Sequence, residues 1–517
     1  MGATFYISSE SADFSNGRDF DLYLDYGYKA EGIASIAGVP DTAQYYSYLY
    51  SRPDSIFLGK TQWEAGPLSI YLHFQNIGNK SLFVRARAQR IDASGIVQES
   101  SGYSNAVDLT VTFNPTLNIP SMTWTAGSVT DRLRIEINYY RDNAPATASA
   151  DLYVGRDRCN LDTPFAPNFV LSGSGTELDP YQITEPEHLQ GMWYWDNIDG
   201  SVYFKLMNDL DMIDSVNWDG GSGYKPFIFY GHFDGDMHIV SNLHCKQYYL
   251  TAALFEKFYG SVKKLILDNA DFTCSYDSGG SYVAGICREL YPGNGFTSLE
   301  KVEVKNSSFS YTAGGFAGAR TYMGGLVAFT RLLSANYDFN IIECASVNNT
   351  FTSNQVYDNN FAGIINMDYG SQGTNKLIIE DCYALDNTFH VLNSVDGRNV
   401  FAGIAIADEY DLSISRCYSA NLTAAMSAGA YYADPIVFPI TTPTSLVTTD
   451  CYYNLTNNVG FICSSSAYGI ELTVAEMQNS ANFNNWDSVN VWGWDSGINY
   501  GYPHRLVFVV VTALIID

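Results

Sequence analysis

Two pairs of carboxylates open the chemical reading of this 517-residue chain. Asp209 and Asp211 are two positions apart, as are Asp234 and Asp236. Residues i and i+2 of a strand share a face, so either pair could set two acids side by side, the arrangement that cleaves glycosidic bonds. Asp234-Gly235 is also a turn dipeptide, and that reading is the simpler one. His232, His238 and His244 recur every six residues, and an even spacing also puts them on one face of an extended strand. Neutral imidazoles there could hold a metal. Six extended residues span roughly 20 Å, however, too far for one ion without a turn, so a structural or turn role is expected. Leu58-Gly59-Lys60-Thr61 has the ending of a phosphate-binding loop, but Asp54 stands where its first glycine belongs. No Gly-x-Ser-x-Gly elbow and no His-Glu-x-x-His helix occurs. No catalytic, cofactor-binding or metal-binding residue is assigned, no cofactor is expected, and the chain is expected to have no enzymatic activity.

The elements that would position such residues are strands. Apolar residues make up 46% of the chain and charged residues 16%, which excludes a disordered polymer. The 39 tyrosines, with abundant Thr, Val, Gly and Asn, favour strands joined by tight turns. The net charge of -27 opposes binding to nucleic acid and to anionic lipid surfaces. No Ca²⁺ loop of recognised spacing is present. The N-terminus has neither a basic start nor an apolar core, so no secretory signal is expected. The apolar run 506–516 is short for a membrane span and β-branched enough for a strand. Nine cysteines include no Cys-x-x-Cys, which argues against zinc ribbons and thioredoxin chemistry. The Asn-x-Ser/Thr sequons at Asn306, Asn348, Asn421 and Asn454 are expected by chance in this composition.

Residues 1–165 are expected to form a β-sandwich or jelly-roll-like region. Its strands are predicted at 68–74, 82–91, 107–113, 133–139 and 150–154. Alternation in Arg132-Leu133-Arg134-Ile135-Glu136-Ile137 predicts a half-buried antiparallel strand. Residues 160–168 read as a linker. Beyond it the sequence repeats itself. Ala284-Gly285-Ile286, Gly324-Gly325-Leu326, Ala362-Gly363-Ile364 and Ala402-Gly403-Ile404 place their second glycine position 40, 38 and 40 residues apart. A second segment alternates with these, as in Ile379-Glu380-Asp381-Cys382-Tyr383 and Asp386-Asn387-Thr388-Phe389. Cys344, Cys382, Cys417 and Cys451 recur at 38, 35 and 34 residues, as an inward stack would. A period near 38 carrying two strand-bearing segments predicts a parallel β-helix of about 19 residues per coil. That gives a rod of about 65–70 Å, with successive ladder cysteines about 9–10 Å apart, too far for disulfides.

Several ordered segments resemble GLUG-motif surface proteins over about 171–506. Gly173-Ser174-Gly175-Thr176 with Asp179-Pro180-Tyr181 is one, and Tyr203-Phe204-Lys205-Leu206 with Asp209-Leu210-Asp211 is another. Gly231-His232-Phe233-Asp234-Gly235 and the Gly-apolar repeats fit too, with the second Gly of the motif lost here. Leu472-Thr473, Trp492-Gly493-Trp494 and Tyr502-Pro503 match its ending. The resemblance implies a β-helical stalk or binding rod. A second resemblance, of 128–165 to β-sandwich segments of phage structural proteins, implies assembly onto a virion.

The fold class expected is all-β: a β-sandwich over 1–165, a linker and opening cap over 166–230, parallel β-helix repeats over 231–469, and a C-terminal cap with a terminal strand over 470–517. The function expected is that of a virion surface protein, a phage fibre, spike or decoration subunit that adheres to a host surface. The alternatives are a cellular surface adhesin or filament subunit and a tailspike-type glycan depolymerase. Expected partners are other virion proteins and a host glycan or protein receptor, with no nucleic acid and no membrane insertion. Homo-oligomerisation is left open. The location expected is the virion surface or, alternatively, the cell surface.

Overall fold

The chain divides between residues 170 and 171 into two units. The computed structural model describes the strands of 1–170 with the stretch 97–109, and most of 171–506. Within 171–506 the exceptions are 197–199, 217–222, 248–250, 276–279, 292–296, 313–319, 331–337, 356–357, 367–375, 394–397, 408–410, 427–430, 441–444, 455–467 and 484. The 58–61 segment, Cys159, Cys463, Trp218 and the expected strand beyond Leu506 lie outside the described residues.

The first unit holds a ten-stranded sheet and a three-stranded sheet. Arg132–Tyr140 lies between Tyr45–Ser51 and Phe83–Ile91, antiparallel to both. Flanked on both sides, it is more deeply buried than its alternation suggests. Ile135 and Ile137 are fully buried, and so nearly are Arg134 and Glu136. Both are bonded in place: Arg134 Nε donates to Gln89 Oε1 at 2.7 Å, and Arg87 pairs with Glu136 at 2.9 Å. Asn160–Thr163 is a strand paired with Ala3–Ser11 and Gly66–Tyr71, so the expected linker begins only after it.

The second unit is a parallel β-helix, and the chain as a whole is all-β. One coil runs through four strands: Ser261–Asp268 on face 1, Asp271–Cys274 on face 2, Ser281–Ala284 on face 3 and Cys287–Leu290 on face 4. Face 1 then resumes at Ser298–Lys305, in parallel register. Val262, Leu299, Ile341, Ile379, Ile414 and Thr448 stack at one face 1 position, 37, 42, 38, 35 and 34 residues apart. One sequence period is therefore one coil, not two. Ten strands succeed one another on face 1, which gives a rise of about 43 Å at the usual strand spacing, shorter than expected.

The repeated residues are columns of the core. Phe272, Phe309, Phe351 and Phe389 stack inward behind face 2 with ring centroids 5.6, 4.7 and 5.1 Å apart. Gly285, Gly325, Gly363 and Gly403 stack at the corner between faces 3 and 4. A Cβ on Gly325 would lie 1.9 Å from the Gly363 carbonyl oxygen, so the column admits nothing larger. The cysteine column joins adjacent coils: Cys344 N–H donates to Cys382 Sγ at 3.3 Å, and Cys382 N–H to Cys417 Sγ at 3.4 Å. These thiols are free and buried, and the 9–10 Å separation expected for them does not hold.

The ends are built from the same chain. Tyr181–Ile183 and Tyr203–Leu206 already form face 1 strands, with the helix Pro186–Trp195 between them burying Leu189 and Met192. Ile470–Glu471 adds the last strand. The chain then turns through Val474–Met477, a helix held by a Thr473/Glu476 capping box. From there it doubles back along the outside of face 1. Phe483, Trp486, Trp492 and Tyr502 pack there with Tyr383, Tyr418 and Tyr452. The C-terminal segment thus covers a side of the helix as well as its end.

Candidate functional site

The corner from face 1 to face 2 is turned by a single residue with positive φ in each coil. Asn242, Asn269, Asn306, Asn348, Asp386 and Asn421 hold φ of 52 to 58°. Asn and Asp are the L-residues that tolerate this conformation best. Their side chains link coil to coil. Asn242 Nδ2 donates to Asp211 Oδ1 at 2.8 Å, Asn269 Nδ2 to Asn242 Oδ1 at 2.6 Å, and Asn348 Nδ2 to Asn306 Oδ1 at 2.8 Å. A buried ladder lies beneath. Asn349 Oδ1 accepts from Ser307 N–H at 2.8 Å, and Asn387 Oδ1 from Asn349 N–H at 3.0 Å. The corner backbone is thereby satisfied and fixed.

A groove of about 320 Å³ opens at this corner. Asn242, Asn269 and Asn306 line it with His244, Asp271 and Ser308, and exposed Ile213 and Val216 form an apolar bank. His244 Nδ1 lies 3.1 Å from Asp271 Oδ2. Ser308 Oγ donates to Asp271 Oδ1 at 3.0 Å, and Thr273 Oγ1 does so at 3.2 Å. The carboxylate stands between the hydroxyl and the imidazole. His244 therefore does not receive the Ser308 proton, and these three groups do not form a nucleophile relay. They present fixed donors and acceptors beside an apolar wall, which suits a polar, uncharged ligand.

Face 2 continues from the groove. Its outward positions form two in-register rows: His244, Asp271, Ser308, Thr350, Thr388 and Thr423, then Lys246, Thr273, Ser310, Thr352, His390 and Ala425.

The residues singled out from sequence are largely occupied by turns. Asp209 Oδ1 accepts from Ile239 N–H at 2.9 Å and lies 3.1 Å from His238 Nδ1. Asp211 Oδ1 accepts from Ile213 N–H at 3.1 Å. Asp234 Oδ1 accepts from Asp236 N–H at 2.9 Å, and its carboxylate pairs with Lys263 at 3.3 Å. Lys205 lies 2.9 Å from Asp236 and, by hydrogen bonding, holds that carboxyl below its ordinary range. The three histidines do not share a face, because positive-φ residues at Asp236, Met237 and Asn242 break the strand. His232 stacks on Tyr203 with centroids 4.4 Å apart and meets Ser261 Oγ at 2.7 Å, while burial lowers its pKa. Only His244 reaches the groove. Among the described residues no three His, Cys, Asp or Glu side chains are grouped to hold a metal, and no helix is long and apolar enough to cross a membrane.

The groove asparagines were not anticipated, although a signal was present. Three of the four sequons, at Asn306, Asn348 and Asn421, begin at ladder positions. Their third residues, Ser308, Thr350 and Thr423, are the first outward residues of face 2. The corner accounts for the asparagine of these motifs, since it favours a residue that tolerates positive φ.

No protein-family model and no curated protein matches the chain. Among solved structures, it is similar to a protein described provisionally as an immunoglobulin A1 protease from Bacteroides ovatus, at 16% identity and TM-score 0.35, covering 65% of this chain and 94% of that one. It is also similar to the catalytic domain of a GH87 alpha-1,3-glucanase in complex with nigerose, at 10% identity and TM-score 0.15, covering 89% and 98%. The catalytic unit of a GH87 alpha-1,3-glucanase from Streptomyces thermodiastaticus gives 11% identity and TM-score 0.13, covering 83% and 96%. Catalytic proteins among the neighbours overturn the expectation of a chain without enzymatic activity. At these TM-scores they assign it no particular reaction.

Proposed function

We propose that this chain is a surface-displayed binding protein, whose first unit attaches it to a larger assembly and whose β-helix meets the surface of a cell. The observation that carries this reading is the repetition of one outward pattern along the corner and face 2, a corner amide followed by a hydroxyl, at Asn306 and Ser308, Asn348 and Thr350, and Asn421 and Thr423. Contacts that are weak singly become effective when repeated on a rigid frame. The likeness of the repeats to GLUG-motif surface proteins supports adhesion. The likeness of 128–165 to phage β-sandwich segments favours a virion, with the chain as a fibre, spike or decoration subunit. A cellular surface adhesin is the alternative setting.

Mass spectrometry and electron microscopy of purified particles test the setting, and binding of the labelled protein to intact cells tests the activity. Stoichiometric amounts in particles, with saturable cell binding, support the virion reading. Recovery from a cell envelope instead supports the adhesin. Absence of binding to any surface overturns both.

A further inference from the structure

We propose that the outer side of face 2, with the groove at its head, binds an extended, uncharged polysaccharide laid along the helix axis. The inference rests on the surface-binding reading and names its ligand class. From Ser308 to Ala425 the two outward rows contain no carboxylate, lysine or arginine, in a chain with 55 acidic residues. They present Ser308, Thr350, Thr388 and Thr423 in one row and Ser310 and Thr352 in the other. The side chains of Thr350, Thr352 and Thr388 have no hydrogen-bond partner among the described residues, and Thr350 is exposed. These hydroxyls therefore do no structural bonding there.

Their spacing is that of the strands, about 4.8 Å per coil, close to the rise per sugar of an extended glycan. The inward phenylalanine column keeps the face rigid, so little order is lost on binding. In the groove, Asn269 and Asn306, held in place by the ladder, present a polar floor, Asp271 an acceptor, and Ile213 with Val216 an apolar wall for the C–H side of a sugar ring. Other occupants fit less well. A polyanion meets the repulsion of a -27 chain. A polycation needs carboxylates that these rows lack beyond Asp271. A protein partner would favour aromatic or arginine anchors, which the rows do not carry.

The test is calorimetric titration of the full chain with linear neutral α- and β-linked oligosaccharides of increasing length, with heparin as the polyanion control. We expect at least one neutral series to bind, with affinity rising with length and no binding of heparin. Joint replacement Thr350→Lys and Thr352→Lys, both at solvent-facing positions, should weaken binding about tenfold or more without moving the urea midpoint. Asn269→Ala should weaken it less. Tyr432→Ser, at an exposed face 3 position, should leave it unchanged. Binding lost in the Tyr432 variant but kept in the threonine variant overturns the placement on face 2. Absence of neutral-glycan binding by a protein that still binds cells overturns this inference and leaves the surface-binding reading standing.

Discussion

The indole N–H of Trp492 donates to Asp381 Oδ1 at 3.0 Å, across 111 residues of chain. The same carboxylate receives the Arg416 guanidinium on two prongs, Nε to Oδ1 and Nη2 to Oδ2, each at 2.9 Å. Asp381 is a positive-φ residue of a charged column on face 1 that also holds Lys301, Glu343, Arg416 and Asp450. The C-terminal segment reads this column: Arg505 binds Glu343, and Trp486 Nε1 donates to the Asp450 carbonyl at 3.1 Å.

Replacing Asp381→Asn should therefore cost about 2 kcal/mol, since it removes the charge that Arg416 faces and weakens the bond to Trp492. Trp492→Phe should cost at least about 1 kcal/mol for its hydrogen bond alone. The double variant should lose less than the sum, because both changes remove one shared contact. Urea unfolding followed by circular dichroism measures all three.

The glycine column makes a sharper prediction. An alanine Cβ at Gly363 would sit 2.1 Å from the Gly403 oxygen and 2.7 Å from Ala384 Cβ. Gly363→Ala should destabilise by about 3 kcal/mol as neighbouring coils are forced apart. Gly497→Ala, where the one near atom is a side-chain oxygen, Asp495 Oδ1 at 3.3 Å, and no backbone crowds the site, should be mild. The comparison needs only urea midpoints of the two variants.

Stability should fall as pH drops from 7.5 to 5.5. Burial lowers the pKa of His188, His232 and His504 from their ordinary value of 6.5. The unfolded chain takes up these protons near pH 6.5 and the folded chain only lower, so the stabilisation is complete above 6.5 and declines below it. Urea midpoints across this range should show the decline, and His504→Gln should make it shallower. A flat profile would remove the role assigned to these imidazoles.

Of nine cysteines, seven are described, and all seven are free and buried. Burial pushes the thiols of Cys245 and Cys287 upward in pKa. A thiol reagent should therefore label at most two cysteines per folded chain and seven or more after unfolding. Rapid labelling of more than two in the folded protein would count against the buried column.

Much of the β-helix was legible because its inward columns repeat. The glycines from Gly285 to Gly403 and the cysteines from Cys344 to Cys451 mark equivalent positions of successive coils. The number of strands per period was not legible. The Ala-Gly-apolar segment marks the corner of faces 3 and 4, and the Asp-Asn segment marks the corner of faces 1 and 2. Each occurs once per coil, so two signatures were read as two coils. The groove was hidden for another reason. Its wall residues Ile213 and Val216 come from the opening segment, outside the repeat, and only the register brings them beside Asn242 and Asn269. The carboxylate pairs were legible in their simpler reading, since Asp234-Gly235 marks a turn and Asp209, Asp211 and Asp234 each accept a backbone N–H.

The returning C-terminal segment grips the coils at Glu343, Asp381 and Asp450, whereas the groove draws on the coils of Asn242, Asn269 and Asn306. A whole-coil duplication or loss inside the gripped stretch would throw the strap out of step, but the seam between Ser310 and Glu343 belongs to neither. That seam is where descendants of this chain can change their reach while inheriting both the groove and the strap intact.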